Sequence, residues 1–363
     1  MDKEKRTPFP KILKQTQRSC LKKLYFCIPK TWMMNRTYFP LLVAALLFFC
    51  SACKHQQKPE DQTNNEQKTA ERPSFSADSA YAFTEAQCAF GPRVPNTEAH
   101  RKCSAYLTAA FRRFCDTVYV QEFNGKAYNG ILLKSKNIIG CFNPEAKERI
   151  LVASHWDSRP YADHDPDPAM HRTPIDGAND GASGVGILLE IARQLSLKHP
   201  DKGIDLVCFD SEDYGAPQDD DAQYSEDDWC LGSQYWAQHP HRTAYSARFG
   251  ILLDMVGGPN ALFCKEGTSA FYAQDILNRV WNYAAGLGYS SDFSSRETAP
   301  IIDDHLYINK LSNIPMIDII EYNEAGGTGF NPTWHTLKDN MENISRATLQ
   351  KVGEVVLYTL YNE

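Results

Sequence analysis

Four short apolar runs stand out along the chain, at residues 149–154, 204–209, 250–253 and 314–320. Each is four to seven residues long, which is the length of a buried strand rather than of a helix. Polar or charged residues follow each run directly. The pattern therefore predicts four strands whose ends carry polar chemistry.

Segments with helical periodicity lie beside and between these runs. Residues 97–113 begin with a threonine cap and continue with apolar side chains at helical spacing, and the same spacing recurs at 184–195 and 349–360. Strands that alternate with helices predict an α/β fold. We expect a single three-layer α/β/α domain, with a central, mostly parallel, twisted sheet, helices on both faces and the active site at the C-terminal strand ends.

Acidic and histidine side chains follow three of the predicted strands. His155 and Asp157 come after the first run, Glu212 and Asp213 after the second, and Asp254 after the third. Ligands of open α/β sheets bind beyond the carboxyl ends of the strands, so these side chains should meet there. Clustered carboxylates repel one another unless a cation or shared protons hold them. A cation is therefore expected at this edge of the sheet.

Carboxylates together with imidazole suit zinc. A catalytic zinc takes three protein ligands and keeps one position open, and two carboxylates with one neutral histidine balance the charge of Zn²⁺. The stretch GFNPTWHTLKDN at 329–340 places His335 beside Trp334, in the loop after the last predicted strand. His335 is therefore the candidate third ligand, although on its own it would be read as a hydrogen-bonded loop histidine.

The N-terminal region differs from the rest of the chain. Arg36 precedes an apolar run at 38–49, which is too short for a comfortable membrane span and fits the hydrophobic part of a signal peptide. The residues before Cys53 resemble a bacterial lipobox, with Cys50 where an aliphatic residue is usual. The lipobox implies an exported, periplasmic protein that is lipid-anchored at Cys53. A plain secretory signal and an uncleaved anchor are the alternatives.

The sequence predicts three regions. Residues 1–52 form an N-terminal extension with the lipoprotein-type signal, and Met33 or Met34 is an alternative start of translation. Residues 53–78 are polar without periodicity and are predicted to be a disordered tether. Residues 79–363 form the catalytic domain.

Composition and charge narrow the range of partners. Hydrophobic residues make up 42% and charged residues 23% of the 363 positions, which are ordinary values for a packed globule. The chain has 38 basic and 45 acidic residues; the first 52 positions hold ten of the former and two of the latter, so the remainder carries a formal net charge of −15. This charge argues against nucleic acid and against an anionic membrane surface as partners. We expect contact with a membrane only through the lipid anchor.

Seven cysteines follow Cys53, without the paired spacing of a structural zinc site. An exported protein can oxidise some of them, but an odd number leaves at least one free or shared between chains. We predict that Cys208, in the second apolar run, is a buried free thiol. Cys88 and Cys103 are the pair that we first expect to form a disulfide.

Six motifs complete the sequence evidence. They are SHWDSRP at 154–160, GANDGASG at 177–184, FDSEDYG at 209–215, LLDMVGG at 252–258, IIDDH at 301–305 and WHT at 334–336. In this order they resemble the zinc-dependent glutaminyl cyclases of the animal type and their bacterial relatives, which share a fold with the zinc aminopeptidases. The resemblance covers roughly residues 80–363.

The resemblance implies one zinc ion per chain and assigns its ligands by position. Asp180 becomes the first ligand, Asp213 the second and His335 the third, and Glu212 becomes the general acid/base. The animal enzymes have two glutamates where this chain has Glu212 and Asp213. Aspartate is one methylene shorter, but it is a good zinc ligand, so the assignment is kept.

The same resemblance implies supporting residues. Asp303 and Asp254 match a pair of buried acids that can share a proton and hold Glu212 in position. Trp334 matches a tryptophan in the wall of the substrate pocket, and Trp229 is a second candidate for contact with substrate. The implied reaction converts the N-terminal glutamine of a peptide or protein to pyroglutamate with release of ammonia. The enzyme would be an acyltransferase, and we expect a monomer.

Two other functions stay open. A zinc aminopeptidase of the same fold would use His155 and Asp254 for a second zinc ion, bridged through Asp180, and the ligand types do not decide between the two enzymes. The IIDDH and WHT motifs favour the cyclase. The third hypothesis is a non-catalytic receptor on the same fold; such relatives lose ligands, whereas this chain keeps them all.

Two acidic stretches and one histidine receive no catalytic role. Asp163 begins a stretch with calcium-loop spacing, but prolines stand where the loop needs its glycine and glutamate, so we predict a surface insertion. The acidic run at 218–229 is predicted to be a solvated loop or a lid over the active site. His305 is predicted to be a structural hydrogen-bonding residue.

Overall fold

A six-stranded sheet forms the centre of the computed structural model, which describes residues 74–220 and 225–363. The strand order across the sheet is β1-β2-β4-β3-β5-β8, and β6 and β7 form a separate two-stranded sheet. The strands are β1 (Thr117–Lys126), β2 (Leu132–Phe142), β3 (Arg149–His155), β4 (Gly203–Phe209), β5 (Phe249–Asp254), β6 (Phe263–Lys265), β7 (Phe293–Glu297) and β8 (Met316–Ile320).

The four apolar runs of the sequence are the four parallel strands β4, β3, β5 and β8. Every residue of these strands is buried, because helices cover both faces of the sheet. β1 and β2 are antiparallel to each other, and β2 is antiparallel to β4. The prediction of a mostly parallel sheet is confirmed, with this hairpin as an addition at one edge.

Seven α-helices surround the sheet in the described part of the chain. They are α1 (Ala77–Cys88), α2 (Glu98–Phe114), α3 (Gly184–Leu197), α4 (Leu231–Gln238), α5 (Gly267–Gly286), α6 (Asp304–Ser312) and α7 (Arg346–Asn362). The three predicted helices correspond to α2, α3 and α7. The hydroxyl of Thr97 accepts a hydrogen bond from the backbone N–H of His100 and caps α2 as predicted.

Alternate residues of the central strands feed two separate apolar layers. Val152 of β3 packs in the larger layer with Leu188 of α3, and this layer also contains residues of α1, α2, α5 and α7. The next position, Leu151, points the other way and packs in a layer with Trp236 of α4 and Ile308 of α6. Two layers of helices on opposite faces confirm the three-layer prediction.

The predicted N-terminal extension and lipid anchor lie outside the described residues. The predicted tether, 53–78, overlaps the described chain only at 74–78, where Phe75 is buried and α1 begins at Ala77. Among the described helices, none combines the length and the apolar character that crossing a bilayer requires.

All seven cysteines of the described chain are free. Cys208 lies fully buried in β4, which confirms its prediction. The expected disulfide between Cys88 and Cys103 is not formed. Cys103 is packed in the larger apolar layer, whereas Cys88 is the last residue of α1 and is only partly covered.

Candidate active site

The carboxyl ends of the parallel strands meet a loop that carries Asp180. This loop, between 177 and 183, precedes α3 and turns at Gly181, whose φ is +79°. A Cβ at Gly181 would lie 2.5 Å from the backbone oxygen of His155, so only glycine permits this approach. The close packing brings the carboxylate of Asp180 to His155 at the end of β3.

A tight turn after β4 presents Glu212 and Asp213. Ser211 has a φ of +59°, and the carboxylate of Asp157 accepts hydrogen bonds from the backbone N–H groups of Glu212 at 3.1 Å and of Asp213 at 3.3 Å. Asp157 is fully buried. It therefore fixes the backbone that carries both acids, a role that the sequence did not reveal.

Trp334 and His335 reach the cavity from the loop after β8. Their rings stack with centroids 3.8 Å apart, and His335 has a φ of +54°. This left-handed backbone turns the imidazole against the indole of the preceding residue. Both side chains line the same cavity.

Asp180, Asp213 and His335 form one possible metal-binding group. Their ligand atoms all lie within 4.8 Å of one another. Nε2 of His335 is 3.4 Å from Oδ2 of Asp180 and 3.2 Å from Oδ1 of Asp213. Oδ2 of Asp180 and Oδ2 of Asp213 are buried and make no hydrogen bond within the described chain. Buried polar atoms rarely lack a partner, so this group suits a cation.

His155, Asp180 and Asp254 form a second group with the same compactness. Nε2 of His155 lies 3.0 Å from Oδ1 of Asp180 and 3.1 Å from Oδ1 of Asp254. Nε2 of His155 forms a hydrogen bond with Oδ1 of Asp254. The two groups share Asp180, but they differ in that the first holds two buried carboxylate oxygens that make no hydrogen bond in the described chain.

Charge within the cluster shifts the pKa of its members. Burial lowers the pKa of His335, but the carboxylate of Asp213, helped by Asp163 and Asp180, outweighs burial and raises that pKa to about 10. Burial raises the pKa of Asp180, but His155 and His335 outweigh it and hold that pKa well below its usual range. A cation bound by these donors would displace a proton from His335.

Glu212 lines the cavity beside this cluster and contacts Cys230. Burial and the neighbouring acids Asp213 and Asp303 raise the pKa of Glu212 well above its ordinary value. The thiol of Cys230, which is fully buried, lies 3.2 Å from Oε1 of Glu212 and donates to it. The backbone N–H of Cys230 also donates to the carbonyl of Glu212 at 2.9 Å.

Three buried acids lie behind Glu212. Asp254 contacts His155 and is close enough to Asp303 to be affected by its charge, and Asp303 also lies beside Asp318 in the middle of β8. Sharing of a proton between Asp303 and Asp254 stays a prediction. Burial raises the pKa of Asp318 well above its ordinary value and that of Asp254 to about 7. Both carboxyls thus hold protons more readily than exposed acids do.

A cavity of about 530 Å³ contains all of the predicted site residues. Its walls include Glu212, Asp303, Asp254, Trp334, Trp229, Asp180, Asp213 and His335. Ile301, Tyr322 and Phe330 add apolar surface. A cavity of this size suits a small molecule or the end of a peptide. The structure thus brings the predicted site residues together around one cavity, while their individual roles stay predictions.

The two acidic stretches, the run 218–229 and the one that begins at Asp163, differ in their contacts. Trp229, at the end of the run 218–229, lines the cavity and lies under the guanidinium of Arg159 at 4.7 Å. Residues 221–224 of this run lie outside the described chain. The prediction of a surface insertion is wrong for Asp163, which is buried and forms an ion pair with Arg159 at 2.7 Å. His305 is fully buried and bonds to Glu266 at 3.0 Å, as a structural residue does.

Comparisons with known proteins agree with this geometry. A model of peptidase family M28 matches residues 137–360. The sequence of Tannerella forsythia glutaminyl cyclase, a solved structure, is 56% identical to that of this chain. The match covers 80% of this chain and 100% of that chain, with a TM-score of 0.79. A Zn-dependent exopeptidase from Parabacteroides distasonis is 54% identical, with 80% and 99% covered and a TM-score of 0.79.

A more distant relative is the glutaminyl-peptide cyclotransferase of the snake Bothrops jararaca. It is 26% identical over 252 residues, which cover 61% of this chain and 63% of the snake protein. The chain thus spans less than two thirds of the length of this curated relative.

Proposed function

The chain belongs to peptidase family M28, and we propose that it is a zinc-dependent glutaminyl-peptide cyclotransferase. It would convert the N-terminal glutamine of peptides or proteins to pyroglutamate and release ammonia. The similarity to the Tannerella glutaminyl cyclase, across the full length of that chain, supports this reaction. The cavity supports it as well, because its walls contain both a set of donors that suits a metal cation and an acid that can carry a proton.

We place one zinc ion per chain between Asp180, Asp213 and His335. The observation that carries this proposal is a pair of buried carboxylate oxygens, Oδ2 of Asp180 and Oδ2 of Asp213, which make no hydrogen bond in the described chain. Two carboxylates and a histidine are a suitable donor set for a catalytic zinc with an open position. A zinc ion bound there would act as a Lewis acid on the side-chain amide of the substrate.

Glu212 is the proposed general acid/base. It would accept a proton from the α-amine as that nitrogen attacks the amide carbon, and it would return the proton to the leaving nitrogen. The hydrogen bond from Cys230 and the backbone bonds to Asp157 hold Glu212 at the cavity wall. Its raised pKa suits a group that must both accept and release a proton.

The walls would fold the glutamine side chain so that the amine meets the amide. Trp334 and Trp229 are the proposed substrate contacts, and both line the cavity. Orientation of this kind converts an improbable encounter into an intramolecular one. Asp303 and Asp254 would share a proton and hold Glu212 in position, and Asp318 is a further buried acid beside Asp303.

An aminopeptidase is the second candidate. The group formed by His155, Asp180 and Asp254 favours it, because a second metal ion could bind there, and so does the similar Zn-dependent exopeptidase. Against it stands the hydrogen bond between His155 and Asp254 within that group. Asp254 also holds a proton more readily than an exposed acid does, since burial raises its pKa to about 7.

One experiment separates these functions. The purified protein is incubated with a dipeptide that begins with glutamine and, separately, with leucine amide, and its zinc content is measured after dialysis. Ammonia with a pyroglutamyl product and one zinc ion per chain supports the cyclase. Free leucine with two zinc ions per chain contradicts it.

Location and assembly remain part of the proposal. The pattern from Arg36 to Cys53 supports export to the periplasm and a lipid anchor on Cys53, and we expect a monomer. Labelling of growing cells with a radioactive fatty acid should mark the wild-type protein and not Cys53→Ala. The size of the anchor-free protein in solution tests the monomer.

A further inference from the structure

The acidic segment after β3, residues 163–167, contacts the loop that carries His335. The backbone N–H of His164 donates to the carbonyl of His335 at 3.1 Å, and the carboxylate of Asp165 accepts from the backbone N–H of Leu337 at 3.1 Å. The ring of His164 packs on that of Trp334, with centroids 4.3 Å apart. Two segments far apart in sequence are thus joined by main-chain and ring contacts.

His335 needs such support because of its backbone conformation. A φ of +54° is uncommon for a residue other than glycine and is energetically unfavourable. Conformations of this kind persist only where surrounding contacts hold them. The contacts from the acidic segment lie on both sides of His335 in sequence, at Trp334 and Leu337.

A buried ion pair forms the centre of this arrangement. Nε of Arg159 lies 2.7 Å from Oδ1 of Asp163, and Nη2 lies 2.7 Å from Oδ2. Nη1 of Arg159 donates to the carbonyl of Asp213 at 3.1 Å and lies 3.4 Å from its carboxylate. On the other side, Oδ1 of Asp163 lies 3.5 Å from Nδ1 of His335. The pair therefore touches two of the three proposed zinc ligands.

Stability alone does not account for a pair in this position. Arg159 is 1% exposed and Asp163 is 5% exposed, and the cost of removing two charges from water offsets most of their attraction. The location of this pair, beside two proposed zinc ligands, therefore indicates that its role is to position them. Both groups contact a proposed zinc ligand, and they also bind the backbone of Gly215 and Gln218.

We propose that the Arg159–Asp163 ion pair orients two zinc ligands and thereby sets the affinity of the site for zinc. Asp163 would accept the Nδ1 hydrogen of His335 when zinc is bound, and Arg159 holds the backbone and carboxylate of Asp213. Nδ1 of His335 makes no hydrogen bond in the described chain, and 3.5 Å is longer than a formed one. Asp163 is the carboxylate within its reach, and carboxylates commonly orient metal-bound histidines in this way.

The inference rests on the metal site of the proposed function and not on the reaction. Its test is the dissociation constant of zinc, measured on the purified protein by competition with a chelator and without substrate. Asp163→Asn preserves the shape of the side chain and removes its charge. Asp167→Asn is the matched control, because Asp167 lies in the same segment and is exposed. Loss of zinc from the wild type itself would instead count against the proposed function.

We expect Asp163→Asn to weaken zinc binding roughly 10- to 100-fold, as loss of an orienting carboxylate does, and Asp167→Asn to leave it unchanged. Asp163→Asn leaves Arg159 buried without its partner, which can impair folding. The double variant Arg159→Gln/Asp163→Asn removes both charges and should show the same weakening. Wild-type zinc affinity in either folded variant would overturn the inference.

Discussion

The thiol of Cys230 lies 3.2 Å from Oε1 of Glu212 and donates to it. Cys230 begins the turn into α4 with a φ of +56°, and its backbone N–H bonds to the carbonyl of the same glutamate. Burial raises the pKa of this thiol well above its ordinary value, so it keeps the proton that it donates. The cysteine thus restrains the rotation of the carboxylate that we assign as acid/base.

Cys230→Ala should lower kcat for a Gln-initiated dipeptide about tenfold, because loss of a hydrogen bond to a charged group costs about that much. KM and zinc content should change little, since Cys230 contacts neither the substrate nor the zinc ion in the proposed site. Cys230→Ser keeps a donor and should retain most of the activity. Equal losses in the alanine and serine variants would mean that the cysteine only fills space.

Glu212→Gln should abolish proton transfer and leave the metal in place. The amide has the size of the carboxylate but does not accept a proton, so turnover should fall by roughly 10²- to 10⁴-fold. Zinc analysis of the same preparation is the control, because the adjacent Asp213 is a proposed ligand. Near wild-type turnover in the zinc-loaded variant would remove Glu212 from this role.

Trp334→Ala should keep zinc and lower kcat/KM by about tenfold, because the indole would no longer orient the substrate for attack. The indole donates nothing to a metal, but it stacks on His335 and also packs on Phe330. Trp334→Phe restores an aromatic face and should lose less of kcat/KM. Release of zinc by the alanine variant would instead make Trp334 a structural support for His335.

A separate prediction concerns stability at the opposite end of β4. Burial raises the pKa of Asp205, but the guanidinium of Arg149 at 2.7 Å, with the hydroxyl of Tyr245, outweighs burial and lowers that pKa. Asp205→Asn should cost about 3 kcal/mol at pH 7, because Arg149 remains buried without its partner. Zinc binding and kcat should be unchanged.

The pH dependence of this effect follows from the direction of the shift. A depressed pKa in the folded state stabilises above the pKa of the unfolded chain, and that contribution is lost as the pH falls. Urea unfolding should therefore show a difference between wild type and Asp205→Asn that narrows below about pH 4. Asp275→Asn, at an exposed position of α5, is the control. A difference that is constant down to low pH would contradict the ion-pair explanation.

The sequence alone predicts the features that depend on residues close to one another along the chain. The apolar runs that became β3, β4, β5 and β8 are buried on both faces, so their composition alone marks them. Thr97 caps α2 by a local bond. The ends of parallel strands necessarily share one edge of the sheet, which is why Glu212 and Asp254 could be placed in one site.

Features that depend on distant contacts were not accessible in this way. Nothing near Asp163 in sequence shows that it lies beside His335, so the sequence pattern predicts a surface insertion there. Asp318 lies inside an apolar strand, and periodicity identifies the strand without revealing the partner of its acid. The stacking of Trp334 on His335 depends on a left-handed backbone conformation that the sequence does not mark with glycine.

The central claim is that the α-amine of glutamine, and not water, attacks the side-chain amide. The direct measurement is to run the reaction of a Gln-initiated peptide in heavy-oxygen water and to record the product by mass spectrometry. We expect a product lighter than the substrate by one ammonia, with no heavy oxygen incorporated, and no shortening of the peptide. Heavy oxygen in a glutamate side chain, or in a glutamine released from a shortened peptide, would mean hydrolysis and would contradict the account.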